Sequence, residues 1–478
     1  MNISKSLNIL GKIMLITGAL FMLPVIVAFI YKENTYTAFL VPMSIMLLSG
    51  LAFTKIKSDG KPLYIADGFV IVTFSWILMS IFGGLPFVLT GAMDFVDAIF
   101  ETVSGFTTTG STILKEVESL PKSILFWRSF THWVGGMGVL VFVLAISSKK
   151  DEKNMFIMKA ESPGPKAGKL VASTKKTARI LYLIYLFLTV LEVVFLLFGK
   201  MPLFDAITTA FATAGTGGFG VRNANIAAYN SKYVEYVVAI FMMLFATNFS
   251  VYFLILIGKI KDAFASEEIK WYFGIIATAT LLIGLIILPV YKNIEETFRN
   301  SFFTVTSTMS TTGFITDDFE LWPTAAKAVI FLLMFVGGCA GSTGGGLKVV
   351  RIMILGKFAK SAFKLSAHPR ALATVTVDKK KVDDDMLKGV VGYFVTFIVI
   401  YALSIFVISL DNVTITEAIG GVTTCMNNVG PAFERLGATG NFSHLSDFSK
   451  LFLSLDMLLG RLEIFPVLAL LSPSIWKK

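Results

Sequence analysis

The chain carries little charge for its size: 15% of its 478 residues are Asp, Glu, Lys or Arg, while 55% are hydrophobic. A water-soluble globule has about 25% charged residues. A soluble enzyme or nucleic-acid-binding domain is therefore excluded, and the net charge of +10 reads as basic loops beside a membrane. Histidine is scarcer still, at 3 residues without metal-ligand spacing. The 2 cysteines, Cys339 and Cys425, lie in apolar or glycine-rich runs, so neither a disulfide framework nor a thiolate site follows. Zinc-binding spacings and Ser/His pairs are missing as well, which argues against an intramembrane enzyme. The first apolar run follows Lys5 and Lys12 and continues through Ile30 without a small-residue cleavage site. It is expected to stay as a first span.

What the chain has in plenty is long apolar runs. Segments able to cross ~30 Å of hydrocarbon are expected near 8–30, 37–54, 69–90, 124–147, 179–199, 234–258, 271–291, 324–350, 388–410 and 449–472. Most of the 42 Lys and Arg residues fall in alternate loops, above all 148–178 and 357–387, which places both termini in the cytoplasm. Contact of these loops with anionic lipid is the simplest use of their charge.

Four shorter segments of middling hydrophobicity lie between spans, near 95–112, 203–220, 298–315 and 415–432. They share a spacing. Asp97, Asp205, Asn300 and Glu417 each precede a glycine by thirteen residues: Gly110, Gly218, Gly313 and Gly430. The stretches around those glycines are Thr107-Thr108-Thr109-Gly110, Gly215-Thr216-Gly217-Gly218, Ser310-Thr311-Thr312-Gly313 and Asn427-Asn428-Val429-Gly430. From about 69 onward the chain reads as four tandem copies of span, re-entrant segment, span. Irregular backbone at membrane depth is tolerated where it lines a water-filled cavity. Glycine frees the backbone to turn carbonyls toward an axis, and a ring of carbonyls can replace a cation's water shell. Threonine hydroxyls add oxygens or hold the segments to their neighbours. The short helix before each glycine points its partly negative end inward, which favours a cation. Adjacent Gly217 and Gly218 leave a one-residue ambiguity, and equal spacing favours Gly218. Asp97, Asp205, Asp317, Asp318 and Glu417 are placed to concentrate cations at the mouth, though Asp97, Asp205 and Glu417 read better as partners of the helix N-termini.

With these residues in view, the chain resembles the Trk/Ktr/HKT superfamily of potassium transporters, and within it the Trk-type potassium uptake membrane subunits. The resemblance covers nearly the whole chain. It rests on the four glycine segments, WRSFTHWVGGMG at 127–138, GGCAGSTGGGLK at 337–348 and LGRLE at 459–463. It implies an all-α integral membrane fold: four span, P-loop, span repeats around a pseudo-fourfold pore. The two extra N-terminal helices are similar to the Trk branch. The corresponding domains are 1–68, 69–150, 151–260, 261–360 with an intramembrane gating loop, and 361–478. It further implies potassium uptake through a channel-like pore, with potassium ions at the filter residues and no cofactor on the chain. A homodimer in the bacterial inner membrane is implied, partnered by a cytosolic nucleotide-binding regulatory subunit (TrkA-like) at the basic loops. Glycine at all four filter positions goes with potassium preference in this superfamily, and serine in the first repeat with sodium. A coupled secondary transporter of another solute is the rival, but it would call for inverted repeats.

Two further sites follow. Arg461 stands in the middle of an apolar span, where an unpaired charge is costly. Asp456 and Glu463 are at the wrong spacing to share its face. It is either a packing ion pair or, as the resemblance implies, a positive barrier below the filter. Residues 336–348 contain six glycines, Gly337, Gly338, Gly341, Gly344, Gly345 and Gly346, and cannot continue a helix. A phosphate-binding Walker loop would need Lys then Ser or Thr directly after Gly346, where Leu347 stands. A movable gate is the better reading, with Lys348 at its end facing an acid or a lipid headgroup. Arg128, His132 and Asn248 read as structural more readily than as transport residues.

Overall fold

The computed structural model describes residues 2–57, 64–138, 174–370 and 374–473. The 148–178 loop thus lies mostly outside the described residues. Six stretches among the described residues are long and apolar enough to cross a membrane. The first joins α1 (Ile3–Leu20) to α2 (Met22–Ile30), and the second is α3 (Tyr36–Thr54). The other four are α4 (Ile65–Leu89), α7 (Thr174–Phe198), α12 (Glu267–Tyr291) and α16 (Asp384–Ile408), each of 25 residues. At 1.5 Å per residue each runs about 37 Å, enough for a tilted crossing. Their apolar faces are left open, with Phe187, Leu281, Leu285 and Leu403 all exposed, as lipid contact requires. Asp67 ties two N-termini together. Its carboxylate accepts the Tyr64 N–H at 2.8 Å, capping α4, and the Asn2 N–H at 2.8 Å, at the start of α1.

After each 25-residue helix comes a short one: α5 (Phe95–Phe106), α8 (Leu203–Gly215), α13 (Ile294–Met309) and α17 (Ile415–Asn427). All four carry carboxylates in the first turn, namely Asp97, Asp205, Glu295 with Glu296, and Glu417, where the helix dipole favours negative charge. In α17 the Thr414 hydroxyl and the Glu417 carboxylate cap each other's N–H. In α13 the cap is Asn293, and Asn300 sits buried in the second turn.

A third helix follows in each case: α6 (Lys122–Gly136), α9 (Lys232–Phe245), α14 (Thr324–Val336) and α18 (Asp447–Arg461). These correct the expectation of unbroken spans at 124–147, 234–258 and 449–472, because all stop after 13 to 15 residues. The physical causes differ. Gly135, Gly136 and Gly138 end α6, and residues beyond 138 are outside the described set. The chain turns by 90° after α9 into α10 (Phe249–Leu256), which Asn248 caps by accepting the Ser250 N–H at 2.9 Å. Gly337, at φ +72°, closes α14, and the chain resumes as α15 (Val349–Ala367). After α18, Glu463 and Ile464 both take positive φ before Pro466 opens α19 (Phe465–Leu470). Only the third of these breaks was legible in the sequence. Besides short 3-10 turns at Asn225–Tyr229, Phe319–Leu321 and Glu434–Leu436, the remaining elements among the described residues are α11 (Ile260–Ala265) and a hairpin, β1 (Thr376–Val377) antiparallel to β2 (Lys380–Lys381), with Thr376 opposite Lys381.

Candidate functional site

The short helices end in a common backbone pattern. Thr108, Thr216, Thr311 and Asn428 take left-handed φ of 58°, 55°, 60° and 54°, and two residues later Gly110, Gly218, Gly313 and Gly430 take φ of 82°, 81°, 78° and 110°. Gly217 does not share that φ, so it is Gly218 that stands in register with the other three. The four glycines close on one another. A Cβ on Gly110 would lie 2.0 Å from the Gly217 carbonyl oxygen, one on Gly218 2.0 Å from that of Thr312, and one on Gly313 2.2 Å from that of Val429. Gly430 completes the circuit, 3.0 Å from the Thr109 oxygen. Each glycine therefore backs onto the carbonyl preceding the next, in chain order, and no side chain fits between. All four line one cavity of about 390 Å³, together with Lys115, Arg222, Asn223, Asp317 and Asp318.

Side-chain hydrogen bonds brace these segments internally and tie the first to the fourth. Thr107 and Thr109 hydroxyls meet at 2.8 Å, and Ser310 and Thr312 repeat the pair at 2.7 Å. The Ser111 hydroxyl donates to the Gly430 carbonyl at 2.9 Å, and the Asn428 amide donates to the Thr109 hydroxyl at 2.9 Å and the Met457 carbonyl at 3.0 Å. The first and fourth segments are thereby stitched.

Behind the first and second segments stands α6. Arg128, buried, donates to Glu101 at 2.8 and 2.9 Å and to the Gly220 carbonyl at 3.1 Å, and its guanidinium lies 4.2 Å from the Phe219 ring centre. Glu101 also accepts from the Ile113 N–H at 3.0 Å and the Thr112 hydroxyl at 2.9 Å. One turn on, His132 lies against Gly217, where a Cβ would sit 2.2 Å from the ring. The double glycine thus has two reasons: Gly217 admits an imidazole, and Gly218 admits a backbone turn.

Below the ring runs the glycine-rich loop. The Gly345 N–H donates to the Thr311 hydroxyl at 2.6 Å, and the Gly346 N–H to the Asn427 carbonyl at 2.9 Å. Its other edge is docked on the end of α9, where the Cys339 N–H reaches the Ala246 carbonyl at 2.9 Å and the Thr343 hydroxyl the Phe245 carbonyl at 3.1 Å. The Phe249 N–H donates to the Gly341 carbonyl at 3.1 Å, and Glu268 accepts the Ala340 N–H at 2.6 Å. Arg461 crosses beneath, donating to the carbonyls of Thr343 at 2.9 Å and of Gly135 and Gly136 at 2.6 Å each. Lys348 is buried and donates to the Gly344 carbonyl within the loop. That corrects the expectation of an acid or lipid headgroup as its partner.

Three of the five outer carboxylates are paired with cations, while Asp317 and Asp318 line the cavity. Asp97 pairs with Lys450 at 2.6 Å, Asp205 with Arg222 at 3.0 Å and the Tyr229 hydroxyl at 3.0 Å, and Glu417 with Arg435 at 2.5 Å. Their first-turn positions and these partners make them anchors of the short helices. Sequence reasoning missed Glu101 and Glu268. For Glu101 a signal existed, a carboxylate in the middle of an apolar short helix; for Glu268 only the fold supplies the partner.

The chain is similar to known proteins in both sequence and fold. The chain is 33% identical to the Trk system potassium uptake protein TrkH of Salmonella typhimurium, over 98% of this chain and 99% of that one. It is 33% identical to the Trk system potassium uptake protein TrkG of Escherichia coli over 95% and 94%. Its fold matches the crystal structure of the potassium transporter TrkH from Vibrio parahaemolyticus with a TM-score of 0.91, at 29% identity and over 100% of both chains. The family model described as cation transport protein matches residues 32–478. Across nearly its full length, this chain belongs to the TrkH family of cation transport proteins.

Proposed function

We propose that the chain carries potassium ions into the cell through a pore at the centre of four quasi-equivalent repeats, each a 25-residue helix, a re-entrant short helix with its glycine segment, and a broken second helix. The closed ring of Gly110, Gly218, Gly313 and Gly430 carries this reading. Backbone oxygens packed around an axis without intervening side chains are what a dehydrating cation needs. The buried Thr108 hydroxyl and Asn427 amide oxygen, unpartnered among the described residues, are further oxygens available to an ion or its water. Four short helices with carboxylates at their outer ends aim their negative ends inward. The six-glycine loop acts as the gate, since it bonds directly to the third and fourth segments, and Arg461 holds it closed.

The protein works as a homodimer in the cytoplasmic membrane of a bacterium, with both termini inside. A cytosolic nucleotide-binding subunit regulates it through the basic cytoplasmic loops. The test is growth at low potassium of a bacterium lacking its own uptake systems, with radioactive rubidium uptake as the readout. Rescue by the chain, and loss of preference for potassium over sodium in Gly110→Ser, are expected. A chain that neither rescues growth nor carries rubidium would overturn the reading.

A further inference from the structure

His132 sits where two repeats meet, on α6, and both of its ring nitrogens are engaged. Nδ1 lies 2.7 Å from the Gly105 carbonyl oxygen, at the inner end of α5, and Nε2 lies 3.2 Å from the Phe219 backbone nitrogen, directly after Gly218. A carbonyl oxygen can only accept and a backbone N–H can only donate. One neutral tautomer satisfies both, with the proton on Nδ1 and the lone pair on Nε2. The ring is fully buried and tilted against that of Phe219, with ring centres 4.3 Å apart.

The surroundings leave it no play. A Cβ on Gly105 would meet the Thr131 hydroxyl at 2.3 Å, one on Gly215 the His132 carbonyl at 2.2 Å, and one on Gly135 the Phe106 carbonyl at 1.8 Å. So α6 touches the inner ends of both α5 and α8 at backbone distance, and the imidazole fills the remaining gap against Gly217. The Gly217 carbonyl is the one on which Gly110 rests. A displaced His132 therefore moves the contact between the first and second glycines of the ring, and close-packed interiors transmit such shifts.

We propose that His132 is a specificity-determining positioning residue: by bridging Gly105 and Phe219 and backing Gly217, it sets the spacing of the first two ring segments and hence the preference for potassium over sodium. This rests on the pore reading above. Arg128, one turn earlier, braces the outer edge of the same two segments; His132 braces the edge nearest the ring.

The experiment uses the full-length protein in liposomes, with the potassium-to-sodium preference read from competitive rubidium uptake. His132→Leu keeps the volume and removes both hydrogen bonds, and is expected to lower the preference about tenfold, the change one lost neutral hydrogen bond supports, while the protein still transports cations. His132→Gln supplies one donor and one acceptor and restores most of the preference. Where His132→Leu does not reach the membrane, His132→Asn takes its place, since it keeps a donor for Gly105 but is too short for Phe219, and the same loss is expected. Unchanged preference in the folded Leu or Asn variant overturns the proposal. Gly110→Ser, measured alongside, separates the two claims. If it loses preference while His132→Leu does not, only the role of His132 fails; if neither variant alters preference, the pore reading fails as well.

Discussion

The Arg461 guanidinium donates to the Gly135 carbonyl at 2.6 Å, joining two helices separated by most of the chain. The same nitrogen reaches the Gly136 carbonyl, and its neighbour reaches Thr343 in the glycine-rich loop. The end of α6 is the negative end of a helix, so a positive charge is well placed there and clamps the loop at the same time. Glu463, two residues on, is already engaged with Arg351, which itself lies 4.1 Å from the Tyr393 ring centre.

Arg461→Gln is expected to raise rubidium uptake. It removes both a positive barrier and the charge-assisted bond to the loop at Thr343, which contributes about 1.5–3 kcal/mol, so uptake should rise roughly tenfold at a fixed membrane potential. Arg461→Lys should fall between, because an ammonium lacks the fork that spans two carbonyl directions. Valinomycin-clamped liposomes give the measurement.

Gly345→Ala should act in the same direction through sterics. Its Cβ would lie 2.5 Å from the Asn427 carbonyl oxygen, so the loop must leave the fourth segment. Uptake rises if the loop is a gate, whereas a purely structural loop would show only a lower melting temperature. Comparing uptake with the melting temperature distinguishes the two.

Gly217→Ala is expected to destabilise the protein by about 1–3 kcal/mol, the usual cost of overpacking, because its methyl would enter the His132 ring. Truncating the ring with His132→Ala makes room for that methyl. The double variant should therefore lose less than the sum of the single ones, a coupling readable as melting temperatures in detergent.

Glu101→Gln leaves the Arg128 charge buried without its carboxylate. Breaking a buried pair in this way costs about 3–5 kcal/mol. The melting temperature should fall sharply, and Glu101→Leu with Arg128→Met together should recover much of the loss.

The resemblance among the four glycine segments was legible because spacing survives where identity does not. Thirteen residues separate Asp97 from Gly110 and Glu417 from Gly430, a constraint set by one short helix of fixed rise ending at one kind of turn. The breaks in α9 and α18 were not legible. Asn248 and Pro466 are single residues in apolar surroundings, and a hydropathy window averages over them. The ambiguity between Gly217 and Gly218 had the same origin: two glycines look alike until a histidine from another helix lies on one of them.

Composition alone determined that this is a helical membrane protein, because burial in hydrocarbon leaves a marked local signature in residue type. Which carbonyl each glycine leans on, which helix end Arg461 satisfies and where the loop docks were decided by the tertiary structure. Those contacts join residues tens to hundreds of positions apart, and hydrogen-bond partners at that separation leave no trace in local pattern.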